Sequence, residues 1–116
     1  MGIARDPQSV EIDLIKEMAE ALGSTGLKLE DILAKASIAR AEALDLVDRY
    51  HRPGPQADRP DAAVVNESIH AHNALVDQAE DALRWLLIQR EACGFRTHRN
   101  VNVHYPIPAK IKLVKE

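Results

Sequence analysis

Aromatic side chains are nearly missing from this chain: one Trp, one Phe and two Tyr among 116 residues. A core short of rings has to be filled by Ala, Leu, Ile and Val, which suits close helix packing better than a sandwich of sheets. The single cysteine, Cys93, excludes an internal disulfide and fits a reducing compartment. Near the end of an apolar helical stripe, it reads as a structural thiol. No apolar run approaches the roughly 18 residues of a membrane span, and "MGIARDPQSV" has no signal-peptide core. A cytoplasmic location is expected. With five Gly and six Pro the chain is neither low-complexity nor disordered. There is no Gly-rich phosphate loop, no G-x-S-x-G and no C-x-x-C, so an ordinary enzyme is not expected and no cofactor is implied.

What is present is helical periodicity. A first helix is expected from Asp6-Pro7 or Ser9 to Leu22, with Val10, Leu14, Met18 and Leu22 on one face and Ile15 beside them. Gly23 is its expected stop and "GSTG" its turn. A second helix, about 27–52, carries Leu29, Ile32, Ala36, Ala39, Ala43, Leu46 and Tyr50 at alternating steps of three and four. Alanine at the centre of that seam predicts close antiparallel packing, either within the chain or as a two-chain coiled coil. The Pro-rich linker 53–60 stops this helix. Asp61 would cap a third helix, about 62–93, with Ile69, His72, Val76, Ala79, Leu83, Leu86 and Cys93 on one face and Gly94 as its end.

The reading is an all-α fold: an antiparallel helical hairpin with a shorter N-terminal helix, three-helix-bundle-like, as one helical body over 1–93. Three helices of unequal length leave apolar surface uncovered, so a homodimer or higher homo-oligomer is expected.

The segment 94–116 is different. From Val101 the odd positions read Val101, Val103, Tyr105, Ile107, Ala109, Ile111 and Leu113, a period of two that predicts an extended, β-like arm with one apolar face. Pro106 and Pro108 remove two N–H donors from one edge, so such a strand pairs on one side only. It could pair with another copy, fold back as a hairpin or dock on a different protein. Five basic residues against one acidic give the arm +4, while the body, with 10 basic and 17 acidic residues, stands at −7.

Function follows from that arm. The leading expectation is a non-enzymatic binding or regulatory protein working through protein–protein contacts, with Val101, Val103, Tyr105, Ile107, Ile111 and Leu113 as its apolar contact face. A second is an anionic-ligand binder, for a nucleotide or nucleic acid, using Arg96, His98, Arg99, Lys110 and Lys112. The plain reading of the two arginines is complementation of a helix C-terminus. A third is a metal-dependent helical enzyme: Asp48 with His51 and Glu67 with His70 are each three apart on a helix face. Their place beside an exposed linker favours ordinary solvated helix ends, so no metal is assigned. His72, on the apolar stripe, reads as a hydrogen-bonded core histidine.

Overall fold

In a computed structural model the described residues are 7–116, with side chains described from residue 12. The expected cap at Asp6 and the side chains of Ser9 and Val10 therefore lie outside them. The architecture is all-α, with two long helices packed against each other and no strand among the described residues. Helix α1 runs from Pro7 to His51 and helix α2 from Ala62 to Ala92. Between them the Pro-rich linker contains one 3-10 turn, Gln56–Asp58. A short helix α3, Arg99–His104, follows α2. The molecule is a rod of 84 × 28 × 17 Å.

The first two expected helices are one. Gly23 does not end α1, and "GSTG" is helical rather than a turn. Glycine in a helix interior costs about 1 kcal/mol, too little to break a helix that packing holds at Leu22, Thr25 and Leu29. No proline lies between Pro7 and Pro53, so no backbone donor is lost along the way. Thr25 ties this stretch down: its hydroxyl lies 3.0 Å from the Ala21 carbonyl oxygen and 2.6 Å from the Gln89 amide oxygen across the hairpin.

Gly26 has a positive reason to be glycine. It is buried, and a Cβ there would meet the Tyr105 hydroxyl at 2.8 Å. The small residue is a slot for the arm, not a breaker.

The stop at the other end is real. α2 closes on Gly94 at φ +94°, with Phe95 N–H donating to the Arg90 carbonyl at 2.9 Å and Gly94 N–H to the Glu91 carbonyl at 3.0 Å. Those two bonds are a Schellman motif, which satisfies carbonyls that the helix end leaves open. Asp61 occupies the N-cap of α2 but contributes its backbone rather than its side chain: its carbonyl accepts from Val65 N–H at 3.1 Å.

The seam residues face inward within the chain. Leu29, Ile32, Ala36 and Ala43 are buried, as are Val65, Ile69, His72, Val76, Ala79 and Leu86 of α2. Two apolar clusters result. One joins Leu29, Ile32, Ala79 and Leu86 to Val101 of α3; the other joins Ala43, Val65 and Ile69 to Val114 of the arm. The alanines between them leave a shallow groove along the hairpin, and the arm fills it as a third layer.

Candidate functional site

The arm's course can be read from its contacts. Tyr105 sits at Gly26, Arg40 donates to the Ala109 carbonyl at 3.0 Å, and the Tyr50 hydroxyl donates to the Lys115 carbonyl. The arm therefore runs parallel to α1 and antiparallel to α2. From residue 26 to residue 50 a helix advances about 36 Å, and the ten steps from 105 to 115 reach about 33–36 Å only when nearly fully extended.

Its backbone is not paired with another strand. Asn73 clasps Ile111: the side-chain N–H donates to the Ile111 carbonyl and the Ile111 N–H donates to Asn73 Oδ1, both at 2.9 Å. Asn66 does the same to Val114, at 3.0 and 2.8 Å. Seven residues on a helix advance about 10.5 Å, and three residues of extended chain span about 10 Å, so the two spacings match. An amide side chain offers one donor and one acceptor side by side, the complement of a residue's own N–H and C=O.

His72 supports this clasp. It is fully buried, and its Nδ1 lies 3.0 Å from Asn73 Oδ1, the oxygen that also accepts from Ile111 N–H. With Nδ1 protonated, both lone pairs of that oxygen are used and the amide is held in one orientation. Nε2 of His72 is buried with no hydrogen-bond partner. The core-histidine reading describes this residue, with the added task of positioning Asn73.

The arm is not β-like along its length. Residues 99–104 are the helix α3, and 105–116 form neither helix nor strand. The period of two breaks accordingly: Val103 is 77% exposed and Leu113 47%, whereas Val114, an even position, is buried. Val101 is buried, while Tyr105, Ile107 and Ile111 are half-buried against the hairpin. Inward residues 111 and 114 are three apart, the repeat of a polyproline-like chain, which Pro106 and Pro108 also favour. Much of the expected contact face is thus spent within the chain.

The cationic candidates do not converge. Lys110 pairs with Asp77 at 2.6 Å; the hydrogen bond and charge of that carboxylate raise its pKa above the ordinary lysine value. His98 is held by Glu91, at 3.1 Å from Nε2 to the carboxylate, and by Arg90 Nε at 3.4 Å. Glu91 and Asp77 are 14 residues apart on α2, about 21 Å along its axis. Arg96 and Arg99 are exposed in the turn after α2 and at the start of α3, and Lys112 is exposed on the arm. Arg90 braces the turn, stacking over Phe95 at 4.7 Å and donating to the Thr97 carbonyl at 3.2 Å.

Among the described residues no group of three or more His, Cys, Asp or Glu side chains is placed to hold a metal ion. Asp48 is bonded to Arg52, His51 lies edge-on to Tyr50 at 5.2 Å, and Glu67 and His70 are not gathered with them into a common site. No described helix is long and apolar enough to cross a membrane.

Asn66, Asn73, Arg40 and Gly26 were not among the expected site residues. Their signal was present in part: two asparagines one heptad apart, each directly after a residue of the apolar stripe. No family model, curated protein or solved structure matches the chain.

Proposed function

We propose that this chain is a non-enzymatic binding protein that acts through protein–protein contacts, with the α1–α2 groove as a seat for an extended peptide. The observation that carries this reading is the pair of asparagine clasps, which grip backbone amides and so depend little on the sequence they hold. In the monomer the chain's own arm is the occupant. Apolar sockets for Ile111 and Val114 add selectivity. An anionic-ligand reading ranks below it because Arg96, His98, Arg99, Lys110 and Lys112 do not form one patch. The metal-enzyme reading has no cluster among the described residues to rest on.

The test opens the groove and offers it a peptide. Ile111→Asp with Val114→Asp should release the arm from the full chain. A free peptide with the native sequence 105–116 should then bind with a dissociation constant on the order of 0.1–1 mM, followed by NMR shifts of α1 and α2 amides. Adding Asn66→Ala and Asn73→Ala should abolish those shifts. An opened groove that ignores the peptide overturns the reading.

A further inference from the structure

The apolar stripe of α1 outruns its partner. Leu14, Met18 and Leu22, at steps of four and then seven before Leu29, continue the face that carries Leu29, Ile32 and Ala36 into the core, and Ile15 lies beside them. The Thr25–Gln89 contact fixes the level at which α2 nears its end. About 15 residues of α1 therefore extend beyond it, about 22 Å of helix. There Leu14 is 50% exposed and Ile12 and Ile15 are each 64% exposed. At the inner end of this segment Ile15, Met18, Ala19 and Leu22 line an apolar notch with Cys93 and Phe95.

We infer that the overhang pairs with the overhang of a second copy of this chain, antiparallel about a two-fold axis, so that each copy stands where the other's α2 runs out. The charge pattern selects the occupant and its direction. Residues 7–22 hold Glu11, Asp13, Glu17 and Glu20 against Lys16, a net −3, while the turn at the inner end exposes Arg96 and Arg99. Antiparallel pairing carries the acidic outer end of each copy towards the arginines of the other; parallel pairing lays acid on acid. The notch beside Phe95 then receives an apolar side chain of the partner. Five side chains a copy (Ile12, Leu14, Ile15, Met18 and Phe95) at roughly 60–100 Å² each amount to about 600–1,000 Å² in total, the low end for a specific interface, so the dimer is reversible. This inference does not depend on the peptide-groove reading.

Sedimentation of the full chain across concentration tests it. The expected result is a monomer–dimer equilibrium with a dissociation constant of about 1–100 μM. Leu14→Glu with Ile15→Glu should give a monomer at every concentration with the helical circular dichroism retained, since both residues are exposed. Arg96→Glu with Arg99→Glu should weaken the dimer about tenfold at low salt and less at high salt. A wild-type chain that stays monomeric at about 500 μM overturns the inference. So does a dimer that survives Leu14→Glu with Ile15→Glu, which would place the interface elsewhere, as arm exchange between copies would.

Discussion

The two ends of α1 are built from one apolar stripe and meet opposite fates. From Gly26 to Tyr50 the stripe is covered twice, by α2 on one side and the arm on the other. Beyond Leu22, which packs against the edge of the first cluster, the same stripe runs out past Cys93 and Phe95 with Ile12, Leu14 and Ile15 exposed. The difference lies in the neighbours, not in the helix. A periodic pattern states that a face wants cover; the lengths of the other elements decide whether it gets any.

The largest effect should come from deleting the same kind of side chain at both ends. Leu29→Ala removes a fully buried residue and should cost about 2–5 kcal/mol in urea unfolding, whereas Leu14→Ala should cost less than about 0.5 kcal/mol at monomeric concentrations. Equal losses would break the comparison.

The arm's share of the cover can be read separately. Asn73→Ala leaves the Ile111 N–H and carbonyl without their partner, and should ease local opening of the arm by about 1–3 kcal/mol. Hydrogen exchange should quicken at Ile111 and leave the amides around Ile69 and Val76 protected.

The glycines sharpen the same contrast. Gly23 lies towards the bare end, where an added Cβ would find nothing within 4 Å, so Gly23→Ala should stabilise by about 0.5–1 kcal/mol. Gly26→Ala gains the same propensity but drives a methyl into the Tyr105 hydroxyl, so the arm must shift and the gain is lost. Thermal unfolding of Gly26→Ala combined with Tyr105→Phe should recover it, because the clashing oxygen is gone.

The smallest effect belongs to Lys110 and Asp77. The pair is exposed, and the lysine pKa is raised in the folded chain, so its contribution is complete below the ordinary lysine value and fades as pH rises through the raised one. Asp77→Asn should lower the unfolding midpoint only slightly near neutral pH and show mainly in the Lys110 ammonium shifts in NMR titration. A large neutral-pH loss would mean that the pair anchors the arm after all.

Much of the fold was legible in the order of residues. The inward seam from Leu29 to Tyr50, the α2 stripe from Ile69 to Cys93, the Pro-rich break and the Gly94 stop all follow from periodicity, missing donors and glycine's access to positive φ. Those are local properties, so sequence alone determined them. Two others needed the tertiary structure. Whether "GSTG" bends or continues depends on whether packing outweighs about 1 kcal/mol per glycine, and Leu29, Gln89 and Tyr105 settle that from outside the segment. The arm's pattern announced an apolar face but not what would satisfy its backbone. Asn66 and Asn73, 48 and 38 residues away in sequence, do so only once α2 lies beside it. A one-dimensional pattern records what a segment must bury, while the identity of its partner is a fact of three dimensions.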